Sequence, residues 1–220
     1  MLRKFFGASP SSNKSASQRP STGTARVPRH SSGWGQMLLH FKTEQSLRVL
    51  DVGATSSNNI NYLTSLGHSI YMADLVEEAA KPQWRSQSPD GDEVFDSAGF
   101  IADHMDFAGR NFDAVLLWDA VDYLPEPLVA PVVARLHEVA LPGALVLAFF
   151  HNPGRNAPQA VLEYNRYHLT DSDQLQAQPV GGYPAPVIYN NRAIERLFAD
   201  YSGHKFLLAK DNTREIIVTR

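Results

Sequence analysis

The chain has 220 residues, of which 43% are hydrophobic, and a net charge of -3 at pH 7, which suits one domain with a buried core and excludes a general attraction to nucleic acid. It contains no cysteine, which excludes disulfides, thiolate zinc sites and cysteine nucleophiles and suits the cytoplasm, the location we expect. The longest apolar run, residues 144–150, has the length of a strand, so we expect no transmembrane segment.

The first segment, residues 1–32, differs from the rest of the chain. It carries six arginines and lysines and no acidic residue, and most of its other residues are small or polar. Such a composition buries too little apolar area to offset the entropy of ordering, so we expect a disordered basic tail before a domain over residues 33–220. An organelle transit peptide, or contact with a membrane surface through Leu2, Phe5 and Phe6, is the alternative.

Strands and helices alternate from residue 47 onwards. Short apolar runs, most of which end in a carboxylate, predict the strands, and apolar side chains at helical spacing predict the helices. The expected strands are residues 47–52, 68–74, 99–103, 112–118 and 144–150, and the expected helices are residues 58–66, 77–84 and a helix that starts near 127. A polar loop is expected at residues 86–96. This alternation is typical of a mostly parallel sheet with helices on both faces.

The C-terminal part begins with an irregular region, residues 151–189, which is rich in Pro, Gly and Asn. We interpret it as an insertion or lid on the substrate side, and its four tyrosines, together with residues 34–41, are candidate walls of an acceptor pocket. The tyrosines could equally pack this region onto the domain. A final helix capped by Asn190 or Asn191 and a hairpin with strands at residues 205–209 and 215–219 complete the expected fold.

Carboxylates follow the predicted strands and should therefore meet at one edge of the sheet. In open parallel sheets, ligands bind beyond the carboxyl ends of the strands. A carboxylate after the second strand can accept both hydroxyls of a ribose, and one after the third can accept from an adenine amino group. The turn that starts at Gly53 lets the backbone approach a ligand and leads into a helix N-terminus. The four strand-end carboxylates are Asp51, Asp74, Asp103 and Asp119.

At these positions the sequence resembles the class I S-adenosylmethionine-dependent methyltransferases. Residues 49–53, Val-Leu-Asp-Val-Gly, look like the first motif of that family, and Asp74 is similar to its ribose-binding acid. Residues 112–125 resemble the fourth-strand motif, and residues 141–147 resemble the turn and strand that follow it. The likeness extends over residues 47–220.

The resemblance implies a Rossmann-like fold with a seven-stranded, mostly parallel sheet, an antiparallel last strand, and S-adenosylmethionine as cofactor. It implies that Asp51 and Gly53 lie beside the amino acid part of the cofactor, that Asp74 binds its ribose, and that Asp103 lies near its adenine. Trp118 and Asp119 would line the side of methyl transfer. The implied cofactor-binding residues are Asp51, Gly53, Ala54, Thr55, Asp74, Leu75, Asp103, His104, Trp118 and Asp119.

Each of these residues also has a purely structural interpretation. Asp51 and Asp119 could cap the helices that follow them, and Asp74 could be an ordinary carboxylate at a strand end. Asp103 could be an exposed loop residue, and Trp118 could belong to the core.

The function that we predict is methyl transfer from S-adenosylmethionine to a small-molecule acceptor by direct displacement. Such a transfer depends mainly on proximity and alignment, so no conspicuous catalytic side chain is required. The candidate proton acceptors are His151, which follows the fifth strand, and Asp119, Asp122 and Tyr123, and the sequence does not choose among them. No histidine spacing indicates a metal site.

The alternative is a catalytically inactive domain of the same fold that serves as a binding or scaffold protein. It is supported by Thr55 and Ser57, which stand where the family usually carries further glycines. A nicotinamide-dependent oxidoreductase is less favoured because it needs a full glycine-rich turn, which this chain lacks. Neither the acceptor nor the oligomeric state follows from the sequence.

Overall fold

The structure is a computed structural model, which describes residues 25–54, 56–152, 163–184, 186–208, 211 and 213–220. The strands are β1 (Val27–His30), β2 (Arg48–Asp51), β3 (Ser69–Met72), β4 (Arg85–Gln87), β5 (Glu93–Phe95), β6 (Phe112–Trp118), β7 (Ala140–His151), β8 (Asn165–His168), β9 (Gln174–Pro179), β10 (Gly203–Leu208) and β11 (Thr213–Thr219). The helices are α1 (Ser32–Thr43), α2 (Ser57–Ser65), α3 (Leu75–Ala79), α4 (Ser97–His104), α5 (Ala120–Tyr123), α6 (Glu126–Val139) and α7 (Asn191–Leu197), with a 3-10 turn at Pro82–Trp84.

The main sheet has the strand order β10-β11-β7-β6-β2-β3. Strands β3, β2, β6 and β7 run parallel to one another, and β11 runs antiparallel to both β7 and β10. The direction in which the chain builds the sheet reverses between β2 and β6, which is where open α/β sheets bind ligands. The predicted Rossmann-like fold of the class I methyltransferases is therefore confirmed, with six strands in the described part of this sheet instead of the expected seven.

The expected third strand, residues 99–103, is wrong, because these residues lie in α4. The Asp96 carboxylate accepts a hydrogen bond of 2.9 Å from the Gly99 amide and so caps the helix. The helical spacing also brings Phe100 and His104 onto Trp84, with ring centroids 5.3 Å apart in each pair. A short apolar run does not distinguish a strand from a helix, and here packing against Trp84 favours the helix.

The sheet separates two apolar clusters. One lies between the sheet and helices α3 to α7, and the other lies beneath α1, α2 and strands β8 and β9. Trp34, Met37 and Phe41 of α1 are buried in the second cluster against Leu147 and Phe149. The helical spacing thus places one face of α1 in the core, whereas Leu39 on another face is exposed, and a role of residues 34–41 in an acceptor pocket stays a prediction.

Strands β1, β9 and β8 form a second, smaller antiparallel sheet in that order. β1 lies inside the segment for which we predict disorder, so that boundary is wrong on its C-terminal side. The guanidinium of Arg29 explains the difference: it bonds Asp211 and Glu215 at 2.7 Å each and lies 4.5 Å from the centre of the Phe149 ring. Residues 1–24 lie outside the described residues.

Two predicted irregular regions contain strands. Strands β4 and β5 form a hairpin in the expected polar loop, with Arg85 paired to Phe95 in register. Strands β8 and β9 lie within the expected lid, and the remainder of that region includes residues 153–162, which are outside the described part. The final helix and the closing hairpin are present as α7, β10 and β11.

Candidate ligand site at the strand ends

The carboxyl ends of four parallel strands bring together most of the predicted site residues. β2 ends at Asp51, β3 is followed by Asp74, β6 is followed by Asp119, and β7 ends at His151. Asp51 and Asp119 are almost completely buried, with at most 1% of their surface exposed. These side chains are therefore held by the protein interior, and their hydrogen bonds decide what the site can do.

Asp51 is surrounded by donors from the protein itself. It accepts hydrogen bonds from the indole Nε1 of Trp118 at 2.8 Å, the amide Nδ2 of Asn59 at 3.1 Å and the backbone of Gly53 at 3.3 Å. Burial raises the pKa of Asp51 to about 6, although these three hydrogen bonds favour the charged form. Asp51 thus supports the turn after β2.

Asn59 is a site residue that the sequence does not reveal. It is fully buried on α2, where its Nδ2 donates to both Asp51 and the carbonyl of Tyr167, and its Oδ1 accepts from the Leu169 amide at 2.9 Å. The amide therefore ties the first turn of the main sheet to β8. A polar residue in the first turn of a helix is ordinary, so no local signal marks Asn59.

Trp118 covers the turn that we expect to receive a ligand. A Cβ atom added to Gly53 would lie 2.5 Å from Cδ1 of Trp118, so the indole occupies the space above this glycine. Trp118 has a φ of 50°, a left-handed conformation that typically costs about 1–3 kcal/mol for a residue with a large side chain. The Tyr167 ring stacks on the indole at 5.1 Å with an interplanar angle of 23°. The absence of a side chain at Gly53 is therefore explained by Trp118.

Asp74 is placed at the end of β3 as the sequence predicts, but it too has protein partners. Its Oδ1 accepts from the Glu77 amide at 3.1 Å, which caps α3, and from the hydroxyl of Tyr164 at 3.3 Å. Burial raises the pKa of Asp74 above its ordinary value. The neighbouring Leu75 is buried.

The other side of the site is a cluster of polar groups at the ends of β6 and β7. Asp119 accepts a hydrogen bond of 3.1 Å from the Tyr167 hydroxyl, and burial raises the pKa of Asp119 to about 7. Three buried oxygens have no hydrogen-bond partner among the described residues, namely Asp119 Oδ1, Asp122 Oδ1 and Tyr123 Oη. Buried oxygens are normally paired, so this cluster is chemically incomplete.

His151 and Asp122 form a pair within this cluster. Asp122 Oδ2 accepts from the backbone of His151 at 2.6 Å and lies 2.8 Å from its Nδ1. Burial raises the pKa of Asp122, and the bonds to His151 oppose that rise. A proton on Nδ1 that is donated to Asp122 leaves Nε2 of a neutral imidazole with its lone pair. The pair can therefore accept a proton at Nε2.

A cavity of about 420 Å³ lies beside this cluster, between α3, the β4–β5 hairpin and the segment after α5. Its walls include the aromatic rings of Phe95, Tyr123 and Tyr183, and Asp122 and Val76 also line it. The volume and the mixture of aromatic rings with a carboxylate are typical of small-molecule pockets.

Two predicted cofactor residues, Asp103 and His104, lie on α4 instead of at a strand end. Asp103 is exposed on α4, and His104 packs on Trp84 and lies 3.7 Å from a carboxylate oxygen of Glu78. The prediction that Asp103 lies near adenine assumed a third strand, which these residues do not form. Thr55 lies outside the described residues, whereas Ala54 is buried in the turn before it. No group of three potential metal ligands occurs in the described part of the chain.

The comparison with family models identifies the domain. A model described as a methyltransferase domain matches residues 50–148, which include the carboxylates at the ends of β2, β3 and β6. The chain thus carries a methyltransferase domain over these residues. Among curated proteins, none matches the sequence. No helix of the described residues has the length and apolarity to cross a membrane.

Solved structures resemble this methyltransferase domain at low sequence identity. The PH0226 protein of Pyrococcus horikoshii OT3 has a TM-score of 0.52 and 10% identity over 85% of this chain and 88% of that one. A methyltransferase from Methanosarcina mazei has a TM-score of 0.49 and 13% identity over 83% and 96%. The 1,6-didemethyltoxoflavin-N1-methyltransferase of Burkholderia thailandensis has a TM-score of 0.45 and 12% identity over 86% and 78%. The first of these supports the fold.

The methyltransferase fold implies S-adenosylmethionine, and the residues present fit it only in part. Asp74 stands at the strand end where a ribose-binding acid is expected. The turn at Gly53 gives no further support, because the Trp118 ring, and not an open cradle, lies where a side chain at Gly53 would stand.

Proposed function

We propose that the domain transfers a methyl group from S-adenosylmethionine to a small-molecule acceptor. The observation that carries the proposal is the match of residues 50–148 to a methyltransferase domain whose strand ends hold Asp51, Asp74 and Asp119. S-adenosylmethionine, when bound, supplies the electrophilic methyl group, so the protein has to align the acceptor and manage its proton.

We propose His151 as the base that takes the proton from the substrate group that receives the methyl. Its Nδ1 is held 2.8 Å from Asp122 Oδ2, which fixes the ring and favours the tautomer with a lone pair at Nε2. The side chain of Asp122 is buried, so its charge stabilises the imidazolium that forms when Nε2 takes a proton. Asp122 is accordingly a positioning residue, and Asp119 and Tyr123 remain the alternatives.

The acceptor that we propose is small and carries an ionisable hydroxyl or amine. The cavity of about 420 Å³ beside Asp122 suits a molecule of this size, and its aromatic walls favour a flat, partly apolar one. A cytoplasmic location remains a prediction, which the cysteine-free sequence supports.

An inactive domain that retains the fold for binding other molecules is the second candidate. The observation in its favour is the indole of Trp118, which packs on Gly53 in the turn where the amino acid part of the cofactor is expected. The hydrogen bond between Tyr164 and Asp74 also engages the expected ribose-binding acid.

Calorimetric titration with S-adenosylhomocysteine tests the proposal and separates it from the alternative. We expect micromolar binding by the wild type and at least tenfold weaker binding by Asp74→Ala, a loss of about 1.4 kcal/mol. Asp74→Asn tests the charge alone, because asparagine also caps helices well. Asp90→Ala, at an exposed position, is the matched control and should bind like the wild type. No binding by any of the four proteins at millimolar ligand would sink the proposal and favour the inactive domain.

A further inference from the structure

Strand β8 and the residue before it lie across the ligand site. Tyr164 reaches Asp74 with its hydroxyl, and Tyr167 reaches Asp119 with its hydroxyl while its ring stacks on Trp118. Asn59 bonds the backbone on both sides of His168, through the Tyr167 carbonyl and the Leu169 amide. The strand therefore engages three of the positions at which the fold would hold a ligand.

These contacts join two different sheets. β8 is an edge strand of the small sheet and pairs only with β9 among the described strands. Among the residues that the structure describes, no backbone pairing joins β8 to the main sheet, so side chains hold it over the strand ends. A strand held in this way can leave the site without disrupting the ladders of the main sheet.

Trp118 is held in a strained conformation by the same contacts. Its φ of 50° is rare for a large side chain and persists only where the surroundings fix it. The surroundings here are the hydrogen bond to Asp51, the contact with Gly53 and the stacked ring of Tyr167. Departure of Tyr167 removes one of the three supports and allows the indole to move off Gly53.

Two buried carboxyl groups of the closed site lie outside every salt bridge of the described residues. Asp51 and Asp119 take part in none of the salt bridges formed by the described residues. Burial raises the pKa of both carboxyl groups, to about 6 and about 7. S-adenosylmethionine carries a sulfonium and an ammonium group, so its entry would provide the missing positive charge.

We infer that β8 is a built-in closure of the ligand site, and that S-adenosylmethionine binds only after Tyr164 and Tyr167 have left Asp74, Asp119 and Trp118. This inference rests on the proposed function. The closed conformation is the described one, and in the open conformation β8 and the Trp118 indole are displaced from the strand ends. The ligand then binds more weakly than to an open site, in proportion to the small population of the open conformation.

Binding kinetics of S-adenosylhomocysteine test the closure. Tyr164→Phe and Tyr167→Phe each remove one hydrogen bond of the closed conformation and keep the ring. Stopped-flow tryptophan fluorescence should give an apparent association rate about threefold to tenfold higher in each variant than in the wild type. Tyr201→Phe is the matched control, because its hydroxyl bonds the Val133 carbonyl at 3.3 Å in another part of the fold, and it should leave the rate unchanged.

The possible outcomes separate the closure from the proposed function. Equal association rates in the wild type, both variants and the control would overturn the closure and leave methyl transfer untouched. Absence of binding in all four proteins at millimolar ligand would overturn the proposed function and the closure with it.

Amide hydrogen exchange gives a second readout that needs no variant. Saturating S-adenosylhomocysteine should lower the protection of the β8 amides and leave the amides of β6 and β7 protected. β8 amides that stay equally protected with the ligand bound would overturn the closure.

Discussion

The buried carboxylates in the two halves of the ligand site differ in their hydrogen-bond partners. Asp51, at the end of β2, is surrounded by donors from Trp118, Asn59 and Gly53. Asp119 and Asp122, beyond the end of β6, each keep one buried oxygen without a partner among the described residues. All three carboxylates are at most 1% exposed, so burial alone does not explain the difference.

The contrast indicates that the chain itself supplies the hydrogen-bond donors in the half of the site next to Asp51. In the half next to Asp122, carboxylate oxygens are left for a ligand to bind. A buried carboxylate with a full set of donors stabilises the local structure. An unpaired buried oxygen costs free energy and is retained where a ligand or a proton uses it. Four predictions test this division of the site into two halves.

The largest effect is expected at His151. Once a screen has found an acceptor, His151→Ala should lower kcat about 10²- to 10⁴-fold, because the proton of the acceptor loses its positioned base. Radiolabel transfer from S-adenosylmethionine measures the rate, with the exposed His204→Ala as the matched control. A rate within twofold of the wild type would show that His151 does not take the proton of the acceptor.

Asn59→Ala should be the most destabilising change in the half next to Asp51. The substitution removes donors from Asp51 and Tyr167 and leaves the Leu169 amide unpaired, so we expect a loss of about 2–4 kcal/mol in the free energy of unfolding. Urea unfolding gives the value. Asn58→Ala, exposed on the same helix, should change it by less than about 0.5 kcal/mol. A change of less than about 0.5 kcal/mol in the free energy of unfolding of Asn59→Ala would contradict a stabilising role of the donors around Asp51.

The stability of the ligand-free protein should depend on pH through Asp51 and Asp119. Their folded-state pKa values, about 6 and about 7, lie above the ordinary value of 3.8, so the folded protein binds more protons than the unfolded one between about pH 4 and pH 7. The free energy of unfolding should therefore rise as pH falls through this window, and Asp119, whose pKa is raised further, should contribute more than Asp51. The lowered pKa of His168 opposes this rise.

Asp119→Asn isolates the contribution of Asp119 to that pH dependence. It keeps an acceptor for the Tyr167 hydroxyl and removes the titrating group, so the pH profile of the urea midpoint should become flatter over the same window. A profile identical to that of the wild type would show that Asp119 is not the titrating group.

The smallest effect is expected at Asp103. Because this residue is exposed on α4 and does not end a strand, Asp103→Ala should change the affinity for S-adenosylhomocysteine by less than about twofold. Calorimetry beside Asp74→Asn checks it. A tenfold loss would restore Asp103 to the cofactor site and require α4 to rearrange on binding.

The sequence predicts the strands that build the site better than the contacts within it. β6 and β7 are continuous apolar runs, as expected of parallel strands covered on both faces, so their ends and the carboxylates after β2, β3 and β6 could be located. The run at residues 99–103 has the same apolar character but is short, and tertiary packing on Trp84 makes it helical. Local pattern therefore fails where a short segment fits two structures.

The closure of the site could not be predicted because it depends on contacts between distant residues. Tyr167 meets Trp118 and Asp119, which precede it by about 50 residues, and no periodicity or motif encodes such a pairing. The tyrosines of the irregular region were equally compatible with a pocket wall and with packing onto the domain. The structure gives Tyr164 and Tyr167 the second role, through Asp74 and Trp118.

A calorimetric comparison of wild type and Tyr167→Phe, titrated side by side with S-adenosylhomocysteine, tests the closure of the ligand site by β8. If Tyr167 holds the site closed through Asp119, the variant binds the same ligand about threefold to tenfold more tightly than the wild type. Equal dissociation constants, or tighter binding by the wild type, would contradict the closure.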